Sequence, residues 1–248
     1  MRASPGEPVV IVRVVGGSEE LNGTIEAAGH TVSTEPSTAT TRTEPSVIIT
    51  SGERALLAVA REQPNPPILP LDIGIGPTIK AEGIGDGAVE KALENGIERL
   101  RPLLSVSIDG ELVERAFMDV TLVTREPARI SEYAINHDER VARFRADGVV
   151  VATPAGSHGY AAAAGGPTLS PSAEALCVVP IAPFHTQSEQ WVLDTGPTTL
   201  SVLRDEGEVS LLIDDIEYGS IDSGQRVRLA VDGSVRTLHP SRRELETL

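Results

Sequence analysis

Cysteine occurs once in this chain, at Cys177, and lysine only at Lys80 and Lys91. A single cysteine excludes an intrachain disulfide framework and any zinc site built on several thiolates. Aromatic residues make up 3% of the 248 residues against a hydrophobic share of 40%, so the cores must be built from Val, Ile, Leu and Ala. Long apolar runs are missing as well. Val149–Ala152 and Ala161–Ala164 fall far short of the roughly 20 residues that a membrane helix needs. Pro5, Glu7 and Pro8 stand where a signal peptide would carry its apolar stretch, so the expectation is a soluble, cytoplasmic protein with no membrane partner.

Positive charge is also scarce. The 21 basic residues are outnumbered by 36 acidic ones, which leaves a net charge of −15 carried against almost no lysine. A protein that binds nucleic acid by neutralising phosphates shows the opposite balance, so no nucleic-acid partner is expected. An acidic, lysine-poor and aromatic-poor surface is halophile-like, suited to staying in solution in concentrated salt.

At 248 residues the chain has room for one large domain or two modest ones. The first half alternates strand and helix. Val9–Val15 is a β-branched run, Glu19–Ala28 reads as a helix ending near Gly29, and Ser33–Ser46 reads as an exposed loop. Val47–Thr50 has the length of a buried parallel strand. Glu53–Arg61 carries Leu56, Leu57 and Ala60 at helical spacing, and Ile68–Leu71 is a further strand. After a Gly-rich stretch from Asp72 to Gly87, the spacing predicts a helix over Ala88–Leu100. This order implies a parallel sheet covered by helices.

Around residue 103 the pattern turns to short strands. Asp109–Gly110 and Asp232–Gly233 read as hairpin turns, with strands at Asp119–Thr124, Arg140–Phe144, Val149–Thr153, Ala175–Pro180, Thr199–Leu203, Val209–Ile213 and Arg226–Val231. Ser157–Ala164 is the one helical interruption. The expected architecture is therefore α/β followed by β: a Rossmann-like parallel-sheet domain over residues 1–103, a β-sandwich-like domain over 104–238, and a tail at 239–248.

Residues 146–167 are the most informative stretch. A strand runs into a Pro/Gly turn and then a small-residue helix, with Ser157 where an N-cap belongs and Gly156 allowing close backbone approach. Read from the residues alone, this is either a capped helix on a β-scaffold, with Asp147–Gly148 an ordinary hairpin turn, or a helix start that receives a phosphate or polar ligand edge. The stretch resembles the signature of the NAD kinase family, approximately D-G-[LIV]-x-V-[SA]-T-P-T-G-S-T-A-Y followed by G-G-P. Asp147, Gly148, Thr153, Pro154, Gly156, Ser157, Tyr160, Gly165, Gly166 and Pro167 match in register. Outside it, Val178–Pro183, Gly224–Arg228 and Ala116–Val120 resemble further family segments, and Ser51–Leu57 stands in the place of G-G-D-G-T-L-L.

The resemblance implies a phosphotransferase that moves the γ-phosphoryl group of ATP (or polyphosphate), with Mg²⁺, to the adenosine-ribose 2′-hydroxyl of NAD, giving NADP. It implies a phosphate-binding loop in the N-terminal domain, NAD held by the C-terminal domain, and a homo-oligomer, dimer or tetramer, in which neighbours help enclose the nicotinamide. Carried over by position, Glu53 is the catalytic candidate and Gly52 and Arg54 accompany it in the phosphate loop. Asp119 would bond the adenosine end, Asp147 and Tyr160 would contact NAD, and Thr153, Gly156 and Ser157 would shape the turn beside His158.

The departures fall on chemistry. Glu53 replaces an aspartate, which moves the carboxylate by about 1.5 Å, and Arg54 replaces a glycine. Arg54 is either a phosphate ligand or a surface arginine at a helix start. Met118 replaces an asparagine, removing a paired donor and acceptor. His158 and Gly159 replace threonine and alanine, and His158 is either a ligand contact or a solvated side chain. These changes leave an alternative, a catalytically impaired NAD(P)-binding paralogue acting as a sensor. A kinase for a lipid or sugar is a third reading. Other signals exclude rather than include. Gly74-Ile-Gly76 lacks a third glycine, no Walker loop exists, Ser157–His158 has no nucleophile elbow, and His30, His137, His185 and His239 lack metal-ligand spacing.

Overall fold

The computed structural model describes residues 10–33, 45–73, 88–126, 129–184 and 189–239. The expected loop at 34–44, the Gly-rich stretch from 74 to 87, His185 and the last nine residues of the tail lie outside them. The chain forms two compact units: Met1–Leu100 with Val235–Leu248, and Arg101–Ser234.

The first unit is a parallel α/β layer. Its elements are β1 (Ile11–Val15), α1 (Glu19–Ala27), β2 (Thr31–Ser33), β3 (Val47–Ser51), α2 (Glu53–Arg61), β4 (Ile68–Leu71) and α3 (Ala88–Asn95). The strands run parallel in the order β2-β1-β3-β4. Ser18 caps α1 by accepting from the Leu21 amide at 3.2 Å, and Gly29 (φ 93°) ends it. Leu21 and Ile25 of α1 pack with Val12, Ile49, Leu69 and Leu71 in one core cluster. The helix predicted to reach Leu100 stops at Asn95. A Cβ on Gly96 would stand 2.2 Å from the Ala92 carbonyl oxygen, and the chain after it is captured as β5 (Ile97–Ile108). Ile97 and Leu100, which the predicted helix included, lie in the strand and are 44% and 68% exposed.

The second unit consists of two antiparallel layers, as the β-sandwich expectation requires. After β5 come β6 (Glu111–Ala116), β7 (Asp119–Thr124), β8 (Ser131–His137), β9 (Glu139–Ala146), β10 (Gly148–Ala152), α4 (Tyr160–Ala163) and β11 (Ala175–Ile181). The described residues end with β12 (Trp191–Asp194), β13 (Thr198–Arg204), β14 (Val209–Ile213), β15 (Ile216–Ser220) and β16 (Arg226–His239). One layer contains β13-β8-β9 beside the first part of β16; the other runs β12-β11-β10-β7-β14-β15. Leu104, Tyr133, Leu200 and Val227 face Leu122, Val149, Val151 and Val178 in the core between them. Val150, Ala152, Cys177 and Val179 form a second cluster with Ala161 and Leu169. β10 is thus buried on both faces, which is why Val149–Ala152 is a continuous apolar run rather than an alternating one.

Asp109 (φ 49°) and Gly110 (φ 96°) make the expected hairpin turn between β5 and β6, both residues left-handed as a type I′ turn demands. Asp232–Gly233 does not. It lies inside β16, which continues to His239, where Thr237 pairs in parallel with Ile68. Gly233 at φ 95° lets the strand pass through the two residues without reversing. Asp147–Gly148 is not a hairpin either, since β9 pairs with β8 whereas β10 pairs with β7 and β11. The chain changes layer there, and Gly148 is required because a Cβ would meet the Leu122 carbonyl oxygen at 2.5 Å. Strands β8, β12 and β15 were not foreseen.

Candidate functional site

In the first unit the strand order β2-β1-β3-β4 reverses direction between β1 and β3. Open parallel sheets bind ligands outside the carboxyl ends of the strands at such a switch point. Both strands end there in glycine turns. Gly16 (φ 74°) packs so closely that a Cβ would meet the Ser51 carbonyl oxygen at 2.6 Å, whereas nothing lies within 4 Å of the Cβ position of Gly52. Gly52 has φ 83° and ψ 157°, a backbone state essentially reserved for glycine. Its amide donates to the Leu71 carbonyl at 3.0 Å, and α2 begins at the next residue with no side-chain cap. A tied-down turn with open space beside it, at the positive end of a helix, suits phosphate oxygens. Glu53 is the first residue of α2 and half-buried; Arg54, the second, is exposed.

In the second unit, Asp119 pairs with Ala152 across β7 and β10, which puts Asp119 and the turn after β10 at one end of the sheet. Thr153 builds that turn. Its hydroxyl donates to the Phe117 carbonyl at 2.8 Å and accepts from the Ala155 and Gly156 amides at 3.2 and 3.4 Å. Its own amide donates to the Met118 carbonyl at 2.9 Å. Ser157 is not the expected N-cap: α4 starts at Tyr160, with Gly159 in the cap position. Instead the buried Ser157 hydroxyl donates to the Pro154 carbonyl and accepts from the Leu169 amide, each at 3.0 Å. The amides of Ser157 and Gly159 donate to the carbonyls of Thr153 and Gly156. The amides of Ala155, Gly156, Ser157 and Gly159 are therefore used to close the turn.

The segment before Asp119 is held from its other side by Asp214, a residue the sequence reading did not single out. The buried Asp214 carboxylate accepts from the amides of Phe117, Met118 and Asp119 at 3.0, 2.7 and 3.2 Å. Its only sequence signal is the Asp214–Asp215 pair, left-handed at φ 47° and 65°, between two apolar strands. Asp119 is itself buried, with the Thr121 hydroxyl 3.4 Å from its carboxylate. His158 is half-buried, and Tyr160 stands 50% exposed at the start of α4. Asp147 is not brought to this end. It precedes Gly148, which pairs with Val123, so the five residues of β10 (about 17 Å at 3.3 Å per residue) separate it from Thr153. Cys177 pairs with Ala152, and burial, helped by the charge of Asp119, pushes its thiol up to about 11. It is a packing residue, not a nucleophile.

Among the described residues, no three His, Cys, Asp or Glu side chains cluster as a metal cage. Magnesium in phosphoryl-transfer sites is commonly held by one or two carboxylates plus the phosphates themselves, and Glu53 beside the open Gly52 turn fits that donor set. No helix of the described residues is long and apolar enough to cross a membrane.

A parallel α/β unit with a glycine turn at its switch point, and a layered β unit whose buried turn locks onto a neighbouring strand, define an α/β–β protein of two units. Residues 118–238 match the family described as the ATP-NAD kinase C-terminal domain. The NAD kinase of Methanosarcina mazei is 37% identical over 120 residues, 48% of this chain and 41% of that protein. The NAD kinase of Clostridium perfringens is 32% identical over 182 residues, covering 66% and 63%. The yeast NADH kinase structure complexed with NADH superposes with a TM-score of 0.75 at 16% identity, over 96% of this chain and 86% of that one. The Archaeoglobus fulgidus NAD kinase in complex with ATP gives 0.72 at 21% identity, over 96% of both. These structures agree in fold, and the chain spans about half or less of the length of the first curated relatives it matches. Over residues 118–238 the chain is thus similar to the NAD kinase family.

Proposed function

We propose that this chain is an ATP-dependent NAD kinase. The observation that carries the reading is the joining of Asp119 to the Thr153–Tyr160 turn at one end of β10, inside the segment that matches the family. The phosphate-binding role goes to the first unit (residues 1–103 in the sequence reading) and the dinucleotide role to the second (104–238).

In this reading the turn at Gly52 and the first turn of α2 receive the triphosphate, with the exposed Arg54 guanidinium offered to its oxygens. Asp119 and Tyr160 orient the nucleoside end of NAD, and Thr153, Gly156 and Ser157 keep the turn rigid beside His158. Glu53 accepts the proton of the ribose 2′-hydroxyl as the bond from that oxygen to the γ-phosphorus forms, and the bond to the β-phosphate oxygen breaks to release ADP. Magnesium, when bound, neutralises charge on the phosphates. Asp147, at the far end of β10, contributes to a second face, and a homo-oligomer in which neighbours help enclose the nicotinamide is the assembly in which it would act. The protein is placed in the cytoplasm, and its net charge of −15 suits activity at high salt.

The test is incubation with ATP or polyphosphate, Mg²⁺ and NAD in concentrated salt, with NADP as the readout. Formation of NADP supports the reading. NAD bound calorimetrically without any NADP would replace it with the sensor reading, and no NAD binding would end both.

A further inference from the structure

We propose that Asp214 is a positioning residue of the dinucleotide site, acting through the backbone of residues 117–119; this rests on the reading of the second unit as the NAD-binding part. Asp214 is buried at the head of the β14–β15 turn, and β14 lies beside β7 with Ile213 opposite Val120. One carboxylate oxygen takes the Met118 and Asp119 amides and the other takes that of Phe117. The Asp214 amide returns a bond to the Asp119 carbonyl at 3.0 Å. On the opposite side Thr153 holds the carbonyls of Phe117 and Met118. The N–H groups of this short segment are thus bound by one side chain and two of its carbonyls by another residue. The backbone of residues 117–119 is thereby tied from both neighbouring strands.

An ionised carboxylate is the one side chain that can accept all three amides, because it has two oxygens, several lone pairs and no donor. Asparagine has the same shape, but its NH₂ group would face amide donors, and at least one amide would lose its acceptor. The segment would then shift, and Asp119 with it. Since a misplacement of about 1 Å can cost on the order of 10²-fold, the effect should appear in NAD recognition and not in ATP recognition.

The experiment compares wild type, Asp214→Asn, Asp214→Glu and Asp215→Asn, the last altering the exposed neighbour in the same turn. Calorimetry and steady-state kinetics at high salt read Kd and KM for NAD and ATP separately. The expected result is a rise of about tenfold or more in both constants for NAD in Asp214→Asn, a smaller rise in Asp214→Glu, constants for ATP within about twofold, and no change in Asp215→Asn. A merely structural role lowers the amount of active protein and leaves KM for NAD where it was; that result overturns the proposal. Equal loss of NAD and ATP recognition also overturns it. If wild type itself does not bind NAD, the dinucleotide reading falls and this inference falls with it. If wild type binds and Asp214→Asn binds equally well, this inference alone is lost. Should Asp214→Asn fail to fold, hydrogen exchange on wild type decides: the amides of residues 117–119 must be protected without NAD, and exchange at open-loop rates rejects the proposal.

Discussion

A Cβ built on Gly156 would stand 2.2 Å from the carbonyl oxygen of Met118, so the turn after β10 rests directly on the backbone that leads into β7. The contact is backbone against backbone, and neither side can swing away. Gly156→Ala is expected to destabilise the protein by about 1–3 kcal/mol, the usual cost of overpacking, read as a fall in the urea midpoint. Gly52→Ala meets no atom within 4 Å but must adopt φ 83°. It should cost about 1–3 kcal/mol through strain alone, and in addition lower NADP formation.

Glu53→Gln keeps the shape of the side chain at the head of α2 and removes its basicity. NADP formation should fall by about 10²–10⁴-fold, the range for a lost general base. Calorimetric affinity for NAD should stay as in wild type. A variant that keeps its rate would remove Glu53 from the chemistry.

The buried Ser157 hydroxyl joins Pro154 to Leu169 by two hydrogen bonds. Ser157→Ala leaves the Leu169 amide without its acceptor, and about 1–3 kcal/mol of stability should be lost. Thermal unfolding with and without NAD measures it.

Cys177 and Tyr133 are both held in their neutral forms by burial, the thiol up to about 11 and the phenol above its usual 10.0. Both groups ionise at lower pH in the unfolded chain. The contribution of Cys177 to stability is full below about pH 9 and is lost as pH rises towards 11, and that of Tyr133 begins to be lost only as pH rises through about 10. At pH 8 the native thiolate is about 100-fold rarer than in an unfolded chain. Alkylation by iodoacetamide should be slower by at least that factor until denaturant is added.

Met118→Asn tests the departure next to Asp119. Met118 is 5% exposed, and its backbone is already fixed through Asp214 and Thr153. The restored amide should tighten NAD binding by about tenfold if it reaches the ligand, the value of one well-formed hydrogen bond. Unchanged affinity would show that Met118 points into packing instead.

Local pattern was enough for much of the fold. α2, β4, β7 and β14 lie where spacing and β-branched runs place them, because burial on one helical face or one sheet position is written into neighbouring residues. The Asp109–Gly110 hairpin was legible because both residue types tolerate left-handed backbone. The same chemistry misled at Asp232–Gly233, where pairing with more than one strand keeps β16 extended. It misled at Asp147–Gly148 too, where the chain changes layer.

By itself, the sequence determined that an α/β part precedes a β part, that thiol chemistry is confined to one cysteine, and that residues 146–167 form the stretch that resembles the family. Tertiary structure alone decided what those residues do. It put Ser157 into a buried clasp rather than a cap, used the amides of Ala155, Gly156, Ser157 and Gly159 to close the turn, set Asp147 at the opposite end of β10, and brought Asp214 under Phe117–Asp119 from about 95 residues away. Hydrophobic spacing encodes which face is buried, whereas the partner of a polar group depends on which strands pair, a long-range outcome that no short window contains.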